Sequence, residues 1–303
     1  MKRKEFEKCP EINDVFDTYL WEPISFIFAK AFARKGWSPN VATIISLIFG
    51  VSGGVLFAFH NLWLNIAGSV LVLFSIIFDD ADGQIARINN SSSIFGRFLD
   101  GFCDGIVYAS IYIGFAVHIM RDNIPFTNIP WSWWIFLVGV PVAIYFHPRQ
   151  ARICDYYKNV YMYLIGVHNE LLSSKEVDEK IKNEKLTWFK KIILKQYLVY
   201  TKQQEKESPI TQSLLKKIRE NGNVIPEKVS QEFKKHVPLM RFANIEAVSF
   251  RTFVLIALLL TGQGCWLFLV IIFILEPINL IIQWRFSRIS KKALEECFNE
   301  VKI

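Results

Sequence analysis

The sequence runs Asp-Asp-Ala-Asp-Gly-Gln-Ile-Ala-Arg at positions 79–87 and Gly-Arg-Phe-Leu-Asp-Gly-Phe-Cys-Asp at positions 96–104, and these two runs decide the fold. Long apolar segments flank them on both sides, so their carboxylates lie at or just inside a membrane surface. Burying an ionised Asp near the middle of a membrane helix costs about 3 kcal/mol. Hard divalent cations, which prefer oxygen ligands, are the natural compensation.

The spacing of the acids predicts that they converge. Asp79 and Asp82 are three positions apart and share one helix face, while Asp100 and Asp104 are four apart and share another. If the polar link at 89–93 is a turn, the two helices run antiparallel and all four carboxylates meet. Such a cluster predicts a metal site that handles a diphosphate.

Residues 79–104 also resemble the signature of the CDP-alcohol phosphotransferases (CDP-alcohol phosphatidyltransferases), Asp-x2-Asp-Gly-x2-Ala-Arg-x8-Gly-x3-Asp-x3-Asp, and every fixed position is present. The resemblance implies a transferase of phospholipid biosynthesis. It would move a substituted phosphate group from a CDP-alcohol to an acceptor hydroxyl and release CMP. The donor is either CDP-diacylglycerol or a soluble CDP-alcohol such as CDP-inositol, and at least one of the two substrates is a lipid.

The resemblance, with the spacing, also assigns roles to individual residues. Asp104 is expected to be the catalytic general base, with Mg²⁺ or Mn²⁺, two per site, as the cofactor. The expected metal ligands are Asp79, Asp82, Asp100 and Asp104, and the expected nucleotide-binding residues are Gly83, Ala86, Arg87 and Gly96. Asp80 is not a fixed position of the signature and receives no role.

Two other function classes also place acids in membrane helices. Intramembrane prenyltransferases use aspartate-rich motifs, and cation-binding transporters hold ions on intramembrane carboxylates. Neither class needs the Gly and Arg positions of the signature, which favour the phosphotransferase.

Composition agrees with a multi-pass membrane protein. The 303 residues are 52% hydrophobic and 15% aromatic, and the mean hydropathy is +0.25. The formal charge of +7 suits cytoplasmic loops beside anionic lipid, so no nucleic-acid partner is expected. The scattered cysteines indicate packing residues, not disulfides or a zinc site, and the first twenty residues lack the apolar core of a cleavable signal.

Hydropathy along the chain predicts an all-α membrane protein with six transmembrane helices, an N-terminal interfacial amphipathic helix and a cytosolic helical insert. The predicted regions are 1–36 (cytosolic segment and juxtamembrane helix), 37–168 (spans one to four with the aspartates), 169–246 (insert) and 247–303 (spans five and six with a tail). Apolar residues at helical spacing mark the amphipathic helix: Ile24, Ile27, Phe28, Ala31 and Phe32. A core helix of a soluble domain is the alternative for this stretch.

Charge predicts the orientation. Lys and Arg concentrate in the N-terminal segment, the insert and the tail, so the positive-inside rule places both termini and the active site in the cytosol, at a bacterial cell membrane. The family resemblance implies a homodimer. Glu276, inside the last predicted span, is expected to be paired within the helix bundle.

Basic and polar residues at the end of the fourth span are candidates for binding the acceptor: Arg149, Arg152 and Tyr156. A snorkelling basic girdle that touches only lipid phosphates is an equal alternative. The insert is expected to dock on the membrane domain or on a second copy, because it has too few apolar residues for a core of its own.

Overall fold

The computed structural model describes residues 12, 17–91, 93–167, 171, 173–183 and 187–298. Within these residues the fold is helical, as expected, and the only β-pairing is an isolated bridge between Asn123 and Pro130. The α-helices are α1 (Glu22–Arg34), α2 (Pro39–Phe57), α3 (Leu62–Ile88), α4 (Ile94–Ile119), α5 (Trp134–Pro141), α6 (His147–Leu164), α7 (Ser174–Asn183), α8 (Trp188–Glu207), α9 (Pro209–Glu220), α10 (Glu227–Lys234), α11 (Val237–Ala243), α12 (Val248–Leu260), α13 (Leu267–Val270) and α14 (Glu276–Phe298).

Helix α2 packs closely against both α3 and α4, and glycines make the close approach possible. A Cβ atom on Gly53 would lie 2.7 Å from the carbonyl oxygen of Gly68 on α3, and one on Gly114 of α4 would lie 2.0 Å from that of Gly54. Any side chain there would push the helices apart. This would be costly, since membrane helices gain much of their stability from tight packing. Glycines on α2, α3 and α4 therefore allow α2 to pack closely on both of its neighbours.

Four helical runs among the described residues are long and apolar enough to cross a membrane: Pro39–Phe57, Leu62–Ile88, Leu99–Ile119 and Gly264–Phe298. A fifth arises if Val237–Glu246 and Ser249–Leu260, bent by 40°, count as one span. The chain is thus a multi-pass membrane protein, but six spans are not confirmed. The predicted fourth span turns polar beyond His147, and α12 alone is short.

Two π-helical stretches, Val142–Phe146 and Ile271–Leu275, each end just before a proline that is the second residue of the next helix. The ring of Pro148 would clash with the carbonyl of Ile144 in a regular α-helix, and that of Pro277 with the carbonyl of Phe273. The wider π turn moves these carbonyls away, so the helix continues. The two stretches pack against each other, and the residues that follow them, Arg149 and Glu276, form an ion pair. The expected pairing of Glu276 is confirmed.

The chain divides into two compact units, residues 1–149 with 247–276 and residues 150–246 with 277–303. The first unit contains α1 to α5, α12 and α13. Its helix α1 buries Ser25 and Ala29 and leaves Ile27 68% exposed. The predicted helix is therefore present, with a small and partly polar buried face, and its interfacial position is not confirmed.

The second unit builds its core from the insert helices α7 to α11 together with most of α6 and α14. The ring of Tyr157 stacks on Phe286 at 4.2 Å, and Phe233 of α10 contacts the same ring at 5.5 Å. Ser208 donates a hydrogen bond to the Tyr157 hydroxyl at 3.0 Å. The insert thus shares a core with α6 and α14, which matches the expectation that it does not form a core alone.

Candidate metal and nucleotide site

The link between α3 and α4 reverses the chain, as the spacing of the acids required. Asn89 ends α3, and Asn90 adopts a positive φ of 49°, which Asn tolerates better than most residues. Ser93 then caps α4 by accepting a hydrogen bond from the Gly96 amide at 2.9 Å. These polar residues close the turn and set the register of the two acid pairs.

The turn brings three of the predicted ligands together. Carboxylate oxygens of Asp79, Asp82 and Asp100 all lie within 4.8 Å of one another, and Asp82 is buried. Oxygen ligands on opposite sides of a divalent cation are separated by about 4 to 5 Å, since each bond is about 2.0 to 2.6 Å long. The donor set and its spacing therefore fit a hard divalent cation.

Asp104, the fourth acid of the signature, faces the same cluster. Its side chain is in hydrogen-bond contact with Asp79, although it does not belong to the three-carboxylate group. One turn further along α4, the Tyr108 hydroxyl bonds Thr252 of α12 at 2.9 Å. Asp104 therefore lies at the edge of the cluster.

Thr43 at the start of α2 holds the cluster from a third helix. Its hydroxyl donates to the Asp82 carboxylate at 2.5 Å, which leaves the other oxygen of Asp82 for a metal. The sequence assigned Thr43 no role in the site. The available signal was a hydroxyl side chain within an apolar span that is expected to pack beside the acids.

The glycines of the signature have different surroundings. A Cβ atom on Gly83 would meet only the guanidinium of Arg87, at 3.5 Å, so the space beside Gly83 is otherwise open. A Cβ on Gly96 would lie 3.2 Å from the Ser93 hydroxyl that caps α4. Gly83 therefore leaves room for a ligand, whereas Gly96 is explained at least in part by the helix cap. Ala86 follows on α3, half-buried.

Arg87 is partly buried one turn beyond Gly83. Its guanidinium interacts with the charges of Asp80, Glu22 and Asp82, and its Nε atom is buried without a hydrogen-bond partner among the described residues. A buried guanidinium donor with no protein acceptor is suited to a ligand oxygen, since such a donor left unsatisfied costs free energy. The geometry around Arg87 thus fits a phosphate.

The three acceptor-binding candidates bind other protein groups. Arg149 pairs with Glu276, and Arg152 pairs with Glu207 of α8 at 2.7 Å. The Tyr156 hydroxyl accepts a hydrogen bond from Gln212 of α9. Arg152 and Tyr156 thus contact the insert, whereas Arg149 belongs to the unit that holds the aspartates.

Comparison with known proteins identifies the part of the chain that holds this site. Residues 37–147 match the family model for CDP-alcohol phosphatidyltransferase. A phosphatidylinositol phosphate synthase of Mycobacterium bovis is 35% identical over 100 residues, which cover 31% of this chain and 44% of that protein. No solved structure matches the chain.

Two further relatives come from other kingdoms. An archaetidylinositol phosphate synthase of Pyrococcus horikoshii is 29% identical over 107 residues, 35% of this chain and 55% of that protein. A choline/ethanolaminephosphotransferase of Arabidopsis thaliana is 29% identical over 133 residues, 38% of this chain and 34% of that protein. The chain therefore spans about half or less of the length of these relatives. The resemblance seen in the signature is thus confirmed by the match of residues 37–147 to the family model for CDP-alcohol phosphatidyltransferase.

Proposed function

We propose that this protein is an integral-membrane transferase of phospholipid biosynthesis that moves a substituted phosphate group from a CDP-alcohol to an acceptor hydroxyl. The observation that carries the proposal is the group of three carboxylates within 4.8 Å, inside the segment that matches the family. The Gly and Arg positions around it favour this activity over a prenyltransferase or a cation transporter.

The proposed roles follow from the positions of the side chains. Asp79, Asp82 and Asp100 hold a divalent cation, and when bound this cation supplies charge neutralisation for the anionic diphosphate. Thr43 fixes the orientation of Asp82, and Arg87 offers its buried Nε–H, which has no acceptor among the described residues, to a phosphate oxygen. Together these groups place the donor beside the acids.

In the reaction, the acceptor oxygen attacks the phosphorus on the alcohol side of the diphosphate. The bond between that phosphorus and the oxygen of CMP breaks, and CMP leaves with the bonding electrons. The proton of the acceptor hydroxyl passes to Asp104, which lies at the edge of the cluster. Gly83, Ala86 and Gly96 shape the nucleotide pocket in this scheme.

The proposed cofactor is Mg²⁺ or Mn²⁺, with two ions per site. The contact between Asp104 and Asp79 supports a second ion, because it extends the donor set beyond the three carboxylates that group most closely. Two cations would share the charge of the diphosphate and of the attacking oxygen.

The names of the relatives suggest a choice of substrate. Two act as inositol phosphate lipid synthases by name, and one as a choline/ethanolaminephosphotransferase. The synthase of Mycobacterium bovis is 35% identical to this chain over the matched residues, and the other two relatives are each 29% identical, which favours CDP-diacylglycerol as the donor with a polar acceptor. CDP-inositol or another soluble donor, with a lipid acceptor, is the other arrangement.

For the acceptor we retain Arg149, Arg152 and Tyr156. An anionic head group would have to replace Glu276 on Arg149 or Glu207 on Arg152, because both guanidiniums already carry a carboxylate partner. A bidentate guanidinium binds phosphate as well as carboxylate, which makes such an exchange feasible.

We further propose six spans, with Trp134–Leu164 and the α12 region crossing in addition to the apolar runs. Both termini and the aspartates face the cytosol of a bacterial cell, α1 lies at the interface, and the chain forms a homodimer. Charge asymmetry supports the orientation, and the exposed Ile27 supports a lipid-facing side of α1. The regions 1–36, 37–168, 169–246 and 247–303 are the working domain boundaries.

Product analysis tests the function. Purified protein is given pairs of CDP-linked donors and alcohol acceptors, and mass spectrometry identifies the products. We expect CMP and a phosphodiester lipid from one pair, with an inositol phosphate acceptor the first to try. Release of CMP from no pair would contradict the proposal, and a prenylated product would establish the alternative enzyme.

A further inference from the structure

The exposed face of α14 changes its chemistry along the helix. Leu280 and Ile281 are each 50% exposed, and Trp284, one turn further on, is 51% exposed. Arg285 and Arg288 follow on the exposed surface. The helix ends the last of the apolar runs that are long enough to cross a membrane. A membrane helix passes from lipid chains to headgroups in this order, from aliphatic side chains through tryptophan to arginine.

Both arginines lie against the same indole ring. The Cζ atom of Arg288 is 4.6 Å from the centroid of the Trp284 ring, and that of Arg285 is 5.4 Å from it. A guanidinium at this distance is attracted to the ring face. The two cations therefore lose part of their conformational freedom before any ligand arrives, which lowers the cost of binding one. We call Trp284, Arg285 and Arg288 the Trp–Arg surface.

The lysines that follow on α14 are used differently. Lys292 binds Glu232 of α10 at 2.7 Å, and the Lys291 ammonium lies 3.9 Å from the Glu295 carboxylate. Within the part of the chain that the structure describes, no carboxylate lies within ion-pair distance of either arginine of the Trp–Arg surface. The lysines thus serve the protein's own acids, whereas the arginines present planar sets of N–H donors that match the oxygens of a phosphate.

We propose that the Trp–Arg surface binds the headgroup of an anionic phospholipid from the surrounding leaflet, with the acyl chains lying along Leu280 and Ile281. Charge complementarity selects this occupant. Two cations without a neighbouring acid, next to an exposed apolar strip, fit a ligand that carries both a phosphate and hydrocarbon chains. Each basic residue near an anionic lipid surface strengthens binding about fivefold. The proposal does not depend on the proposed function, because it concerns lipid binding and not turnover.

Native mass spectrometry of the full-length protein in detergent tests the site by counting bound lipids during titration with phosphatidylglycerol or phosphatidylcholine. Arg285→Gln/Arg288→Gln should bind phosphatidylglycerol at the Trp–Arg surface about 30-fold more weakly and retain one molecule fewer per chain. Retention of phosphatidylcholine should be unchanged. Lys182→Gln/Lys216→Gln is the matched control, because it removes the same charge from exposed lysines that lie beside acids of the insert. It should retain as much phosphatidylglycerol as the wild type.

Two milder variants separate a built site from general attraction to charge. Trp284→Leu keeps an apolar side chain but removes the ring that holds the guanidiniums, and it should weaken binding of phosphatidylglycerol about threefold. Arg285→Lys/Arg288→Lys keeps the charge but not the planar donors, so its affinity should fall between those of the wild type and the glutamine variant. A lysine variant that binds as well as the wild type would show attraction to charge alone and overturn the proposed site.

Three further outcomes would also overturn the proposal. The first is equal retention of phosphatidylglycerol by the wild type and the folded glutamine variant, with thermal unfolding as the check on folding. The second is displacement of the bound lipid by an equal concentration of inorganic phosphate, which would indicate a site for free anions. The third is loss of a dimer in the glutamine variant with lipid binding unchanged, which would make this face a contact between two copies. If the glutamine variant does not fold, the lysine variant and Trp284→Leu decide the question.

Discussion

The α2–α4 helices and the insert helices α7–α11 use opposite means to hold their charged residues. In α2–α4, three carboxylates lie within 4.8 Å of one another, and glycines allow the helices that carry this site to pack closely. Two acids of the insert are instead paired with cations of the helices that share its core: Glu207 with Arg152 of α6, and Glu232 of α10 with Lys292 of α14. Concentrated charge of one sign is costly and needs a ligand, whereas paired charge needs none.

This difference separates function from structure on one chain. The carboxylate cluster of α2–α4 lowers the stability of the fold in order to form a site. The ion pairs of the insert stabilise a core that is shared with α6 and α14. Changes in the first region should therefore alter activity, and changes in the second should alter stability. Substitutions in each region test that division.

Replacing one ligand of the cluster should have the largest effect. Asp82→Ala should lower kcat/KM by at least about 100-fold, because it removes a metal ligand and the partner of Thr43. Asp79→Ala and Asp100→Ala should behave alike. Steady-state assays measure the loss, and calorimetry should show that metal and nucleotide affinity fall together. Asp178→Asn, in the exposed pair with Lys182 of the insert, is the control and should keep full activity.

Asp104→Asn separates catalysis from binding. A general base contributes about 100- to 10,000-fold to rate, so turnover should fall by that order while much of the CDP affinity remains. Calorimetric titration beside kinetics provides the test. Loss of CDP binding equal to that of Asp82→Ala would mean that Asp104 acts only as a ligand.

Thr43→Val should have a moderate effect. The variant keeps the shape of the side chain but loses the hydroxyl that donates to Asp82. Removing a partner of a metal ligand lowers metal affinity or activity by about 10- to 100-fold. Titration of activity against Mg²⁺ should show a higher half-saturating concentration with kcat less changed. An unaltered Mg²⁺ requirement would show that Thr43 does not orient Asp82.

The smallest effect should come from the insert and appear in stability alone. Hydrogen bonds from Lys292 and Lys235 lower the pKa of Glu232 to about 2, against its usual 4.5. A lowered carboxyl pKa stabilises the fold at pH values above the usual pKa. This contribution is lost as the pH falls from about 4.5 towards about 2. Between pH 4.5 and about 2, the unfolding temperature of Glu232→Gln should therefore fall less steeply with pH than that of the wild type. Activity near neutral pH should be unchanged. Identical slopes would mean that the pair does not contribute.

Much of the site could be predicted from the sequence, because its acids lie close to one another along the chain. The pairs at 79/82 and 100/104 need only helical periodicity and one turn to converge, and three of the four meet as predicted. The contacts of Thr43, Ser25 and Asp80 could not be predicted, since they join α1, α2 and α3 across long separations in sequence.

The fold was predicted less completely. The ends of α2, α3 and α4 follow apolar patterns and polar caps that are visible in the sequence. The span count was less certain, because hydropathy does not show where a helix passes a proline through a π turn, as before Pro148 and Pro277. The partners of Arg149 and Arg152 depend on tertiary contacts that no local pattern encodes.

The central claim is that the carboxylates of α3 and α4 act through a divalent cation. The most direct measurement is CMP release by the purified wild-type protein after removal of divalent ions with EDTA, followed by return of Mg²⁺ or Mn²⁺. The account predicts that release stops on chelation and returns with either ion. Full turnover in excess EDTA would contradict it.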